Sequence, residues 1–317
     1  MFDCGEGTTR QLIICNNVSP RNLRHIFITH LHSDHYFGVP NMLYFLSSQD
    51  CDFDKTIHLY GPLGIKKYIR NALGSTHNSQ KMMANLIIKE LVGPRTSKEH
   101  VQSYMKHLPR KLPFENSKDN IKDLIYRDES MSCYNVTTIG NNVIQAAEID
   151  HLRAFCVGYV IKEEDRRGAI NAELLQSKYN LKPGKEYGLL KSGQDIVLDD
   201  ANKTIIRSSE VCEPTVEGKK LVILGDTSNP YNISGIARNC DMLVHESTFE
   251  DEMKDECISR GHSTPTMAAR FARDVNAKKL IITHFSNRYK DTQKLLGQAR
   301  RTFNNTEAAN DFDLFDV

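Results

Sequence analysis

Short apolar runs alternate with amphipathic stretches along the whole of this 317-residue chain. The runs Arg24–Thr29, Ile57–Tyr60, Asn85–Leu91, Asn142–Ile149, Phe155–Ile161, Lys219–Leu224, Asp241–Val244 and Lys279–Thr283 are short and mostly aliphatic, so they predict strands. Apolar residues recurring three and four positions apart predict helices over Tyr36–Ser47, Leu63–Leu73, Glu250–Arg260, Thr264–Val275 and Asp291–Phe303. Thr264 followed by Pro265 suits a helix start, with a hydroxyl residue at the cap and proline in the first turn. Strands mixed with helices from end to end predict an α/β fold built in layers.

Two polar stretches break the pattern. Residues 93–130 carry Pro94, Pro109 and Pro113 and predict a surface insertion. Residues 163–205 combine charges with a short helix at about 171–180 and a Pro183-Gly184 turn. They separate two strong strands and are expected to project as an arm.

Composition then narrows the class. Charged residues at 26% and hydrophobic residues at 39% suit a globular protein long enough to bury a sizeable core. No apolar run approaches the ~20 residues of a membrane helix, and the first residues carry no signal-peptide pattern. A net charge of +1 does not advertise a nucleic-acid partner, so any basic contact surface has to be local. The eight cysteines, among them Cys4, Cys51 and Cys156, form no CxxC pair. They read as free thiols in a reducing compartment, the cytoplasm, nucleus or an organelle matrix.

The chemistry concentrates in one place. The strand Ile26–Thr29 runs directly into His30-Leu31-His32-Ser33-Asp34-His35. Residues two apart on an extended backbone point the same way, so His30 and His32 can converge on one ion. The chain then turns, and Asp34 and His35 can face a second. Imidazole and carboxylate suit zinc, and two ions about 3.5–4 Å apart stabilise both oxygens of a phosphoryl displacement. One histidine here would read as an ordinary surface residue; four ligand types within six positions, straight after a buried strand, point to metal. Further ligands are offered where other strands end: His151 after Val143–Ile149, Asp226 after Leu221–Leu224, and His284 after Leu280–Thr283. Each alone reads equally as a strand-end or capping residue. Their shared position suggests a common site, and a carboxylate able to bridge two cations suits Asp226. His25, His58, His77, His100, His107 and His245 read as core or surface residues, and Tyr36-Phe37 as core.

The HxHxDH segment, followed by a distant His, Asp and His, resembles the metallo-β-lactamase superfamily. The resemblance implies an αββα sandwich with metals at one edge of its two sheets. That superfamily hydrolyses lactams, thioesters and phosphodiesters, so the motif identifies fold better than substrate. Phe2-Asp3-Cys4-Gly5-Glu6-Gly7-Thr8, His245-Glu246-Ser247-Thr248 and Gly261-His262-Ser263-Thr264 look like segments of tRNase Z, the zinc endoribonuclease that trims tRNA 3′ trailers. The similarity runs from residue 1 through His284, with spacing close to the short form of that family. It implies two Zn2+ ions, one held by His30, His32 and His151, the other by Asp34, His35 and His284, with Asp226 bridging. It also implies that Asp34 orients or deprotonates the attacking water. His262 is implied as the proton donor to the leaving 3′ oxygen, with Glu246 as its orienting partner. The chemistry agrees, since a ribose alkoxide leaves poorly and a histidine of near-neutral pKa can protonate it. A carboxylate partner favours the imidazolium and fixes its orientation.

The arm resembles the family's exosite, which grips the tRNA elbow. Arg166, Arg167, Lys178, Lys182, Lys185 and Lys191 could meet phosphates, although Glu163, Glu164, Asp165, Glu173 and Glu186 dilute the charge. The family usually has Gly-Pro at the turn where this chain reads Pro183-Gly184. Family members also have an opening pair of strands before the FDCGEGT segment, so the expected fold is the sandwich lacking those strands. A precursor-tRNA 3′ endonuclease, acting as a homodimer, is the leading reading. The alternatives are a hydrolase of another phosphodiester or a thioester, and a catalytically impaired tRNA-binding relative.

Overall fold

A computed structural model describes residues 1–48, 56–76 and 85–317. Cys51 and His77 lie outside the described residues. Along the chain come helix α1 (Thr8–Ile14), strand β1 (His25–Phe27), helices α2 (Ser33–Tyr36) and α3 (Val39–Ser48), β2 (Thr56–Pro62), α4 (Ile65–Gly74) and β3 (Asn85–Leu91). They are followed by α5 (Lys98–Lys106), β4 (Leu124–Ile125), β5 (Tyr134–Ile139), β6 (Asn142–His151) and β7 (Ala154–Glu163). Next are α6 (Ala172–Tyr179), α7 (Lys185–Lys191), β8 (Ile196–Val197), β9 (Ile205–Ile206) and α8 (Ser208–Val211). The chain closes with β10 (Lys220–Ile223), α9 (Ser234–Ala237), β11 (Met242–Glu246), α10 (Lys254–Ser259), α11 (Pro265–Asp274), β12 (Lys279–Thr283), α12 (Gln293–Arg300) and β13 (Thr306–Ala308).

The chain divides into two compact units. The larger comprises residues 1–139, 143–161 and 220–317; the smaller comprises 140–142 and 162–219.

In the larger unit β1-β2-β3-β4 form a parallel sheet, and β13-β12-β11-β10-β7-β6-β5 form a second. Period-two alternation sorts the side chains of the first sheet. Ile26, Ile28, Ile57, Leu59, Leu86 and Ile88 pack against helical residues such as Leu12, Met42, Leu43 and Ile69. From the opposite face Phe27, Tyr60 and Leu91 meet Tyr134, Val136, Ile144, Val157 and Tyr159 of the second sheet. The far face of that second sheet packs on α9, α11 and α12 through residues such as Val222, Leu243, Ile282, Ala237, Phe271 and Leu295. Helix, sheet, sheet, helix: three cores separate four layers, which is the αββα sandwich.

The predicted strands are found in place, but β4, β5, β8, β9 and β13 were not anticipated. The stretch predicted as one helix over Tyr36–Ser47 is two helices, and the break falls at Phe37-Gly38. A Cβ at Gly38 would lie 2.0 Å from the Gly5 carbonyl oxygen, and one at Gly5 would lie 2.0 Å from that of Asp34. The N-terminal loop and the histidine-rich loop touch backbone to backbone, and only glycine permits that approach. Phe37, expected in the core, is 50% exposed and stacks on Tyr68. The apolar side of α3 (Val39, Met42, Leu43, Leu46) is core. The helix expected over Glu250–Arg260 is shorter, Lys254–Ser259, after a 3-10 turn.

The insertion at 93–130 is anchored by charge. Fully buried Arg70 donates to both Glu115 oxygens (2.9 and 2.8 Å), and fully buried Lys66 donates to Asp123 (2.9 Å). Glu90 accepts from the backbone N–H groups of Gly64 and Lys66 at the start of α4 and from the Tyr104 hydroxyl of α5 (2.7 Å). A carboxylate at a helix N-terminus thereby ties the two helices together.

In the smaller unit α6, α7, α8 and the β8–β9 ladder enclose a core of Leu175, Leu190, Ile196, Ile206 and Val211. The segment expected as an arm, 163–205, lies inside it. The unit continues to Lys219 because Arg166 pairs with Val216 and the Glu163 N–H donates to the Lys219 carbonyl.

Candidate metal centre

Residues from four separated segments meet at one edge of the larger unit. His30 follows β1, His151 ends β6, Asp226 follows β10 and His284 follows β12. One imidazole group unites His30, His32 and His151; a second set unites Asp34, His35, Asp226 and His284. In each, all potential ligand atoms lie within 4.8 Å of one another. The Asp226 Oδ2 stands 3.4 Å from His35 Nε2, 3.5 Å from His284 Nε2 and 3.9 Å from His30 Nε2, facing both groups. Every residue singled out from sequence as a metal ligand is therefore in one cluster. His245 is not: it is fully buried, and its Nδ1 contacts the Glu246 carbonyl oxygen.

The ring nitrogens facing away from the cluster are held. His35 Nδ1 lies 2.7 Å from Asp3 Oδ2, His151 Nδ1 lies 2.7 Å from the Gly261 carbonyl oxygen, and His30 Nδ1 lies 3.0 Å from Thr29 Oγ1. Asp3 also accepts from the Thr29 N–H and hydroxyl, both at 2.8 Å, so one carboxylate steadies two loop positions. Such outer contacts orient imidazoles toward an ion and fix their tautomer. Sequence reasoning missed Asp3 as a positioning residue; its place in the FDCGEGT segment was the available signal.

The inward nitrogens carry the fit test. His30 Nε2 and His35 Nε2 are buried without a hydrogen-bond partner, an expensive arrangement unless a cation completes it. The N/O donor set suits zinc. Electrostatics agree. Burial, then the neighbouring His35, hold His30 neutral, its pKa pushed down to about 2. Burial acts against charge on His35 too, but Asp226 and Asp3 outweigh it and raise that group to about 10. The His284 imidazole, 3.7 Å away, holds Asp34 well below the usual carboxylate range; Asp226, despite burial, is held there by His35, His284 and His30. Two carboxylates held in the charged form thus face a set of imidazoles, His30 held neutral and His35 drawn towards the charged form, so the cluster gathers negative charge where a cation would sit.

Beside this cluster His262 Nδ1 is 2.9 Å from Glu246 Oε1. Glu246 is buried and fully occupied: Oε1 also accepts from the Thr227 N–H (2.9 Å), and Oε2 from the Thr248 hydroxyl (2.6 Å). Thr248 Oγ1 reaches His284 Nδ1 at 3.0 Å, linking this pair to a candidate ligand. Gly261, at φ +79°, is where a Cβ would lie 2.8 Å from His151 Nδ1, which accounts for the glycine of the GHST segment.

Fold and ligand cluster together define a metallo-β-lactamase superfamily protein. The family model described as Metallo-beta-lactamase superfamily matches residues 1–44. The chain is 34% identical to Ribonuclease BN of Proteus mirabilis over 99% of its own length and 88% of that protein. It is 34% identical to Ribonuclease Z of Streptococcus thermophilus (100% and 89% covered) and to Zinc phosphodiesterase ELAC protein 1 of Mus musculus (92% and 79%). The crystal structure of human tRNase Z, short form, superimposes with a TM-score of 0.65 at 24% identity, covering 100% of this chain and 87% of that one. The chain belongs to the ribonuclease Z family.

Proposed function

We infer that this protein is a zinc-dependent endoribonuclease that removes 3′ trailers from precursor tRNA, leaving a 3′-hydroxyl tRNA and a 5′-phosphorylated trailer. Family membership supports the activity. The observation that carries the mechanism is the Glu246–His262 pair set against the ligand cluster.

In this reading His30, His32 and His151 would hold one ion and Asp34, His35 and His284 a second, with Asp226 available to both. Ions bound there supply charge stabilisation to the phosphoryl oxygens during displacement. The rest falls to the chain. The Asp34 side chain is 63% exposed, so it can meet the attacking water and accept its proton. As the water oxygen bonds to phosphorus, the P–O3′ bond breaks. His262, oriented through Nδ1 by Glu246, presents Nε2 and delivers a proton to the leaving 3′ oxygen. Glu246 has no oxygen to spare for substrate, which suits an orienting rather than a reacting role.

The smaller unit is the proposed tRNA-binding arm. Arg166, Arg167, Lys178, Lys182, Lys185 and Lys191 are all exposed there, as phosphate contacts require. A homodimer and a cytoplasmic setting complete the reading. The latter rests on thiols such as Cys4 and Cys257, each unbridged and pushed by burial up to about 12. No helix among the described residues is long and apolar enough to cross a membrane.

The test is cleavage-site mapping on precursor tRNA with a parallel zinc assay and a determination of mass in solution. Cleavage just after the acceptor stem, abolished by a chelator and restored by zinc, is expected. Hydrolysis of small esters alone, or zinc-independent cleavage, contradicts the reading.

A further inference from the structure

We propose that the groove between α5 and residues 119–126 binds the single-stranded trailer of the RNA substrate. The proposal rests on the ribonuclease reading above and concerns a surface beyond the ligand cluster, on the same sheet edge.

The chain's net charge of +1 conceals this surface. Between residues 95 and 123 the sequence places Arg95, Lys98, Arg110, Lys111, Lys118 and Lys122, all exposed. The same stretch has four acids, Glu99, Glu115, Asp119 and Asp123. Glu115 and Asp123 are buried on Arg70 and Lys66, and Asp119 is ion-paired to both of those cations. Two of the acids are buried, Asp119 is exposed but ion-paired, and Glu99 alone stands exposed and unburdened by such a pair among those exposed bases, so the face presented to solvent is net positive. Such a face attracts phosphate backbone without reading sequence.

The groove in this face has a volume of about 640 Å³. Lys98, Gln102, Asn120 and Asp119, whose charge is taken up by Lys66 and Arg70, line it together with Ile121 and Tyr126, which are 69% and 48% exposed. An aromatic ring and an apolar side chain beside lysines offer what a splayed single strand needs: a face for a base and charges for its phosphates. A base-paired stem, with its bases stacked inside, has no use for the apolar part.

Register places the groove relative to the ligands. The four strands of the first sheet are parallel, so the loops after β1, β2, β3 and β4 leave by one edge. Counted past the strand ends, His30 is level with Leu63, Val92 and Tyr126. Three strand spacings of ~4.8 Å separate β1 from β4, about 14 Å. That distance is within reach of the first few nucleotides beyond the cleaved bond. Arg95 and Arg127 continue the positive strip towards the metal edge. Burial raises the carboxyl of Glu148, three residues before His151, and both arginines draw it back down.

The experiment compares precursor tRNAs with trailers of one and about eight nucleotides, cleaved by the zinc-loaded protein and by the triple variant Lys98→Gln/Lys122→Gln/Tyr126→Ala. These side chains are exposed, and unchanged circular dichroism checks that the variant is folded. For the parent protein the long trailer is expected to lower KM. In the variant, KM for the long-trailer substrate is expected to rise about tenfold or more, with kcat retained, so that the advantage over the short trailer is lost. A 4-thiouridine placed about five nucleotides into the trailer is expected to crosslink within residues 96–126. An equal rise in KM for both substrates, an unchanged long-to-short ratio, or a crosslink elsewhere overturns the trailer assignment alone. Failure to cleave either RNA overturns the ribonuclease reading and this one with it.

Discussion

Two polar clusters are buried in the larger unit, and they are built oppositely. Around α4, Arg70 and Lys66 meet Glu115, Asp119 and Asp123, with a two-pronged contact between Arg70 and Glu115. At the metal edge, the inward nitrogens of His30 and His35 are buried without hydrogen-bond partners, while their outward nitrogens are held by Thr29 and Asp3. Desolvating polar groups costs free energy in both places. In the first the protein itself offsets it, and the result is a clamp on an inserted segment. In the second the protein leaves the compensation to a bound cation. Unpartnered buried atoms occur elsewhere too, Glu90 Oε2 among them; what marks the site is that there they converge with carboxylates on one place.

The sharpest way to break this contrast is Asp226→Ala, which removes the carboxylate facing both ligand groups. Loss of most bound zinc and of all measurable cleavage is expected, read by metal analysis and a precursor-tRNA assay. Retained zinc with full turnover would show that the cluster is not the reacting centre. His262→Ala comes next. Turnover should fall by ~10²–10⁴-fold, the usual range for a lost general acid, with zinc content unchanged. Parallel loss of zinc and activity would make His262 a ligand instead of a proton donor. Arg70→Ala probes the saturated cluster. Leaving Glu115 buried and uncompensated is expected to cost ~3–5 kcal/mol in denaturant unfolding, while the double change Arg70→Met/Glu115→Leu recovers most of it. Little effect from the single change would mean that the pair is not truly desolvated. The mildest expectation is for Asp3→Asn, which keeps the shape beside His35 but removes the charge. Zinc affinity should weaken ~10–100-fold, measured by chelator competition, without loss of fold.

Deleting residues 166–216 sharpens the proposed division of labour between the two units. KM for precursor tRNA is expected to rise and its salt dependence to flatten, with hydrolysis of a small phosphodiester preserved. Unchanged tRNA affinity would remove the arm's assigned role.

The alternation of strands and helices made the layered α/β class readable in advance, because period two and period 3.6 are local properties. The HLHSDH loop was equally plain, since its ligands are contiguous and follow a buried strand. His151, Asp226 and His284 could be proposed because each sits where a strand ends. By contrast, β13, only three residues long, takes its place through pairing with β12, and β5 through its position beside β6. The break at Gly38 also depends on a partner, the passing Gly5 loop.

Residue types, their spacing and the strand-to-loop junctions were therefore set by the sequence itself. The tertiary structure decided which polar groups are satisfied. Asp3 supports His35 across 32 positions and Glu246 orients His262 across 16, contacts that no local pattern encodes. It also decided the sign of a surface: Glu115 and Asp123 count in the net charge but lie buried against Arg70 and Lys66. Charge is counted along a chain, whereas its field depends on where each group points and what it is paired with.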